Sequence, residues 1–298
     1  MILNNKNYGV LKLFIAMALM GTVGYFVIES HQKPHDVVFF RCLFGVIFLA
    51  PYCFFTGMFK NSNLTKKKVL ILFISGIFLV CNWIMLFASF KHSSISVATT
   101  IYHIQPFLFV ILWSMVHKEK IAPEKLLLML FAFTGVLFVI DIFNDNIVLD
   151  TGYLFGAGLA LVAALFWAIS AVLVKHVEGV KPHVIVLIQL FVGVLVILPF
   201  VDFSSITNIT NFDWIYLIIL GVVHSCLVYV LMYSSYKTLS APIIAIMTFI
   251  YPCVAIIVDM VAYSKILNYT QWIGILMILL SSLASSQNIQ IFRKHNRL

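Results

Sequence analysis

Charge is what this sequence has least of. Only 10% of its 298 residues are Asp, Glu, Lys or Arg, where a soluble domain carries roughly a quarter. A surface so poor in charge cannot face water, which excludes an ordinary soluble domain. The five cysteines (Cys42, Cys53, Cys81, Cys226 and Cys253) all sit in apolar runs, none in a CxxC pair. That spacing excludes a disulfide framework and a zinc site. No GxxxxGK[ST] loop is present, so the chain carries no P-loop for ATP. HExxH, paired carboxylates and a Ser/His/Asp set are also missing, so no catalytic residue, metal ligand or cofactor is assigned. The formal net charge of +8 is not organised as a basic stripe with interleaved aromatics, which argues against nucleic acid as a partner. The run from Val10 to Ile28 is followed by Glu29-Ser30-His31 without a small-x-small cleavage site, so it reads as a retained helix.

What is present is apolar sequence. The chain is 62% hydrophobic with a mean hydropathy of +1.07. Runs long enough to span a bilayer are expected near 9–28, 35–55, 68–90, 95–116, 123–143, 152–175, 181–201, 212–236, 241–263 and 268–290. They are continuous rather than alternating, which excludes a barrel. The expected fold is an all-α integral membrane protein of ten transmembrane helices. With an even number of spans both ends share one side. Fifteen of the 19 Lys and Arg residues fall on that side; Lys33, Arg41, Lys91 and Lys265 fall on the other. Both termini are therefore expected to be cytoplasmic. Asp141, Asp145, Asp150, Asp202 and Asp213 fall in expected outer loops.

The two halves of the chain match. Pro34-His35, Arg41, Gly45 and Pro51 recur as Pro182-His183, Gln189, Gly193 and Pro199 at an offset of 148; Pro106 recurs as Pro252 at an offset of 146. Residues 1–146 and 147–298 read as two five-helix repeats. Five is odd, so the repeats are expected to insert in opposite orientations, an inverted architecture associated with alternating access.

Ten helices in two repeats, the Arg in "FFRCLFGVIFLAP" (Phe39 to Pro51), a mid-helix Pro in helices four and nine, Glu119 in "HKEKIAPEKLL" and "LFWAISAVLVK" (Leu165 to Lys175) together resemble the EamA-like family of the drug/metabolite transporter superfamily. The resemblance covers nearly the whole chain. It departs from the family pattern where Met20 or a neighbour replaces a first-helix tryptophan, where the second-repeat equivalent of Arg41 is Gln189 and where that of Glu119 is Lys265. The resemblance implies secondary transport of a small organic solute, often an amino acid or related metabolite, across the bacterial inner membrane, with efflux or exchange favoured. A nucleotide-sugar, nucleoside-type or lipid-linked solute is the alternative cargo, weakened by the lack of several deep basic residues. Ten helices without a soluble output domain argue against a receptor.

Polar groups are costly in hydrocarbon, so those inside the spans should face the bundle interior. In "TTIYHIQPFLFVILW" (Thr99 to Trp113), Tyr102 and Gln105 share a helix face, and Pro106 frees a carbonyl near Tyr102. Their partners in the second repeat are Thr248 and Tyr251, beside Pro252. His103 is ionisable, open to a proton-relay or carboxylate-binding role, and also to a plain hydrogen-bonded role. Ser225, Tyr229, Tyr233 and Tyr236 form a stripe in helix eight, with His224 beside it. Asn82, Trp83 and Trp167 complete the expected lining. Substrate-binding residues are thus Asn82, Trp83, Tyr102, His103, Gln105, Trp167, Tyr229, Tyr233, Thr248 and Tyr251. Arg41, Pro106, Pro252 and Glu119 are assigned gating or structural roles. Arg41 lies near the outer start of its helix and is expected to snorkel to the headgroups, with a substrate or gating role as the other reading. Asp259, near the outer end of helix nine, could couple to cations or simply be solvated. Gly152, Gly156, Ala160 and Ala164 form a small-residue stripe for close packing. The expected partners are a small-molecule metabolite and the bilayer; protons are a candidate coupling ion and a homodimer a candidate assembly.

Overall fold

The computed structural model describes residues 5–60, 62–89, 92, 101–139, 151–201, 203, 209–264 and 268–286, which form helices and short connections with no strand among them. The helices are α1 (Asn5–Gly21), α2 (Val23–Glu29), α3 (Pro34–Phe55), α4 (Lys66–Ser89), α5 (Gln105–His117), α6 (Pro123–Val139), α7 (Thr151–His176) and α8 (Pro182–Ile197). They continue as α9 (Asn211–Ile219), a π-helical segment (Leu220–Leu227), α10 (Val228–Tyr236), α11 (Ala241–Thr248), α12 (Ile250–Tyr263) and α13 (Tyr269–Ser286). Seven helical stretches are long and apolar enough to cross a membrane: Asn5–Glu29, Pro34–Phe55, Lys66–Leu86, Leu154–His176, Pro182–Phe200, Asn211–Tyr236 and Ala241–Ala262. Gln105–His117 and Tyr269–Ser281 are shorter apolar helices. Large side chains such as Phe54, Phe55, Leu154 and Phe212 stand exposed on the outside, an apolar surface that suits lipid and not water.

Sequence chemistry sets the helix ends. α3 and α8 each begin with Pro at the first helical position after an extended lysine, Lys33 or Lys181, where the missing N–H of proline costs nothing. Their second prolines behave differently: Pro51 lies inside α3, whereas Pro199 falls in the 3₁₀ turn Leu198–Phe200 that ends α8. α9 opens with a capping box in which Asp213 N donates to Thr210 Oγ1 and Thr210 N donates to Asp213 Oδ2.

The packing is reciprocal between the two halves. α4 lies along α7 and α1 along α10; α4 meets α8 and α3 meets the π segment; α5 meets α7 and α1 meets α12. α3–α8 and α6–α13 pair directly. Each contact turns into another of the set when the halves are exchanged. Two glycine pairs make the relation atomic. A Cβ on Gly45 would stand 2.6 Å from Leu190 Cδ1, and one on Gly193 would stand 2.6 Å from Cys42 Sγ. A Cβ on Gly76 would meet Val192 and Gln189, and one on Gly221 would meet Phe44 and Arg41. Residues 42, 44 and 45 correspond to 190, 192 and 193 at the repeat offset of 148.

Four of the expected spans depart from a continuous α-helix. The first breaks at Thr22, whose hydroxyl donates to Leu19 O at 2.8 Å and lies 2.8 Å from His224 Nε2. The eighth widens into the π segment. The ninth breaks at Phe249, three residues before Pro252, and the chain before α5 turns at His103 and Ile104, two to three residues before Pro106. Ile104 N donates to Ile101 O and Phe249 N to Ile246 O, the tighter i−3 pattern at both breaks. Thr99 and the start of the fourth expected span lie outside the described residues. So do Asp141, Asp145, Asp150, Asp202, Lys91, Lys265 and the side chain of Asp259.

The two ends of the bundle are tied separately. At one, His31 Nδ1 lies 3.1 Å from Asp213 Oδ1. At the other, Lys175 Nζ donates to Tyr236 O and Leu239 O, both at 2.8 Å, satisfying carbonyls at a helix end. Lys237, in the turn after α10, donates to Val180 O at 2.6 Å; its partial burial holds it below the ordinary lysine value.

Candidate functional site

A connected cluster of polar and aromatic side chains runs through the interface between the halves. Arg41 on α3 is 3% exposed. Its Nε donates to Ser225 Oγ at 2.9 Å, and its guanidinium lies 4.3 Å over the Trp83 ring of α4. The snorkelling expected for Arg41 is therefore overturned. Arg41 sits seven residues past Pro34, about 10 Å along the axis at 1.5 Å per residue, and turns inward, where Ser225 and a ring face replace headgroup water.

The aromatic stripe of the eighth span continues the cluster. Trp83 meets Tyr229 edge-on at 6.2 Å, Tyr229 meets Tyr233 at 5.6 Å and Tyr233 meets Tyr236 at 5.7 Å. Tyr236 stacks on Phe109, which meets Trp167 at 6.1 Å. Spacings of four and three keep Tyr229, Tyr233 and Tyr236 on one helical face, and all three are buried. Tyr233 Oη donates to Gln189 Oε1 at 2.6 Å. Gln189 Nε2 donates to Ser75 Oγ at 2.6 Å, and Ser75 Oγ stands 3.0 Å from Ser170 Oγ.

Around the first chain break, Asn82 Nδ2 donates to Tyr102 Oη at 3.1 Å and to Ala163 O at 2.8 Å. His103, 1% exposed, stacks on Tyr251 with ring centres 4.9 Å apart and 25° between planes. The two proline-broken helices thus touch through His103 and Tyr251. Gln105 is buried, and its Oε1 has no hydrogen-bond partner among the described residues.

Some expected residues stand apart. Thr248 Oγ1 donates to Ala245 O of its own helix at 2.6 Å, closing the last turn before the break. Trp167 meets the row at Phe109. Glu119 lies at an exposed end of the bundle, where its Oε2 accepts from Trp113 Nε1 at 3.0 Å. Gln189, Ser75 and Ser170 were not among the expected site residues. The position of Gln189 opposite Arg41 in the repeat was the signal for it; nothing marks the two serines.

A cavity of about 280 Å³ opens at the end of the bundle that carries the starts of α3 and the end of α4, lined by Lys33, His35, Val38, Ile84, Ala88 and His92 among others. Val38 precedes Arg41 by one turn on the same face, and Ile84 follows Trp83. Among the described residues no three His, Cys, Asp or Glu side chains converge as metal ligands would. Hydroxyls, amides, ring faces and one guanidinium can bind and orient a solute.

A sequence profile of the EamA-like transporter family matches residues 7–141 and again residues 154–287. The chain belongs to the EamA-like transporter family. Among its relatives, the "Uncharacterized transporter YxxF" of Bacillus subtilis is 31% identical over 92% of this chain and 88% of its own length. An "Uncharacterized transporter" of Archaeoglobus fulgidus is 26% identical over 91% of this chain and 94% of its own. A solved crystal structure superposes on this EamA-like chain with a TM-score of 0.81, covering 95% of it and 99% of the other chain, at 15% identity. At that identity the likeness shows a shared fold.

Proposed function

We propose that this chain is a secondary transporter that moves a small organic metabolite, an amino acid or related compound, by alternating access between two inverted five-helix repeats. The reading is carried by the contact of His103 with Tyr251. Each lies beside a helix break before a proline, one in each half, where the reciprocal packing brings the halves together. Broken helices meeting at a repeat interface are where transporters of this architecture bind solute, because unwound backbone is tolerated only against a cavity. In this reading the bundle has ten spans, both termini are cytoplasmic in the bacterial inner membrane, and efflux or exchange is the direction. Protons are a coupling ion the reading allows, and a homodimer an assembly it allows. A nucleotide-sugar or lipid-linked cargo fits less well, since the interior cluster holds one guanidinium where a phosphate group calls for several cations.

Counterflow in proteoliposomes tests it. Vesicles preloaded with unlabelled amino acids are scored for uptake of a labelled mixture, with the unsubstituted chain and with Gln105→Ala combined with Tyr251→Phe. Uptake that the double substitution abolishes supports both the cargo and the site. Uptake unchanged by it removes the site assignment; no uptake by the folded unsubstituted chain removes the amino-acid reading.

A further inference from the structure

Arg41 carries a charge that the architecture does not need. Its equivalent in the second half is Gln189, which makes the same kind of cross-half bond to a serine hydroxyl with a neutral amide. Arg41 is buried, with 3% of its residue surface exposed, and no carboxylate lies within ion-pair distance of it among the described residues. The acidic residue nearest along α3, Asp36, lies 3.6 Å from His35 Nε2. A charge placed in a membrane core is costly unless it is paired, and here, among the described residues, it meets a neutral hydroxyl and a ring face. We propose that Arg41 is the specificity-determining anchor for a single carboxylate on the transported solute, with Trp83, Tyr229 and Tyr233 receiving the apolar remainder.

The geometry fits that chemistry in four ways. Among the described residues only Nε is committed to a hydrogen bond, with Ser225, which leaves the planar fork of the guanidinium to take a carboxylate through two parallel hydrogen bonds. The groups within its electrostatic reach among the described residues, Cys42, Tyr102, Tyr229 and His224, add a thiol, hydroxyls and an imidazole but no second fixed cation. One positive charge balances a monoanion and leaves a phosphate monoester uncompensated. The π segment, absent from the equivalent helix α4, brings Ser225 to Arg41, and π-helical turns gather at functional sites. Finally, the 280 Å³ cavity that reaches Val38, one turn from Arg41, carries Lys33 at its lining, a cation that favours entry of an anion.

This inference rests on the transport reading, and its test separates the two. Full-length protein in detergent is titrated with matched sets, 3-phenylpropionate, phenylalanine, phenethylamine and phenethyl phosphate, and the same four head groups on an isobutyl skeleton. Binding is read as ligand-induced thermal stabilisation. Carboxylates and amino acids should stabilise the unsubstituted chain, amines and phosphates should not. Arg41→Gln should keep its ligand-free melting temperature near the original, since glutamine already serves at position 189. It should weaken carboxylate binding about tenfold or more, as loss of a charge-assisted hydrogen bond implies, and Arg41→Lys should recover part of that loss. Stabilisation by no carboxylate, by amines or phosphates in preference, or equally in Arg41→Gln overturns the anchor. Counterflow of a neutral or cationic solute that survives Arg41→Gln overturns it too, while leaving transport standing.

Discussion

Arg41 and Gln189 occupy equivalent places in the two halves, and each reaches across the interface to a serine, Arg41 Nε to Ser225 at 2.9 Å and Gln189 Nε2 to Ser75 at 2.6 Å. The serines themselves are not equivalent. Gly76 and Gly221 are the matching close approaches on the facing helices; Ser75 precedes the first by one residue, and Ser225 follows the second by four. The longer arginine reaches a turn further along its neighbour, and the π segment provides the hydroxyl there. A repeated backbone thus carries a charged site on one side and a neutral brace on the other.

The neutral brace should be structural. Gln189→Leu leaves the buried Tyr233 hydroxyl without its acceptor, and unfolding in a denaturant titration followed by tryptophan fluorescence should show a loss of about 1–3 kcal/mol. Adding Tyr233→Phe removes the stranded group. The double substitution should therefore cost less than Gln189→Leu alone, and a larger cost would contradict this account.

Close packing of α3 on α8 should tolerate no added methyl. Gly193→Ala places a Cβ 2.6 Å from Cys42 Sγ, and overpacking of that kind costs about 1–3 kcal/mol. Cys42→Ala in the same chain should return part of it. Gly158 in α7 has open space around it, so Gly158→Ala should be neutral or stabilising by up to about 1 kcal/mol. Melting temperatures of the three variants against the original decide the matter.

The two helix breaks should matter for movement more than for folding. Pro106→Ala and Pro252→Ala each return a backbone N–H to a helix interrupted within three residues of the proline. Both proteins should fold with unchanged or raised melting temperature. Counterflow should fall by about tenfold, equivalent to ~1.4 kcal/mol on the rate-limiting step. Full-rate transport by both variants would dissociate the breaks from the transport cycle.

Orientation is open to a direct readout. His31, whose side chain is 72% exposed, and Lys120, also exposed, mark opposite ends of the bundle. In intact cells a membrane-impermeant maleimide should label His31→Cys and spare Lys120→Cys, with the unsubstituted chain as the blank because four of the five native cysteines are buried. The reverse pattern would turn the proposed topology over.

Much of this was legible in the residues. Low charge and long apolar runs determine that the chain lives in lipid, because no water-facing surface can be assembled from it. The constant offset linking Pro34, Gly45 and Gly193 to their partners reveals the duplication, and the structure uses those same glycines for reciprocal close approaches. Pro106 and Pro252 locate two interruptions, since a missing N–H is a local fact. The interruption at Thr22 and the π segment were not legible. Both stand where a side chain of a distant helix meets a hydroxyl that bonds a carbonyl of its own helix, His224 at Thr22 and Arg41 at Ser225. The direction of Arg41 was hidden for a related reason. Snorkelling follows from distance to the headgroups along one helix, whereas burial depends on what the neighbouring helices present. The sequence by itself determined the solvent, the duplication and the proline breaks, because each is a property of a single segment. Only the tertiary structure decided that Arg41 faces Trp83 and Ser225, and that Gln189 braces Tyr233, because those energies exist only once the two halves are packed.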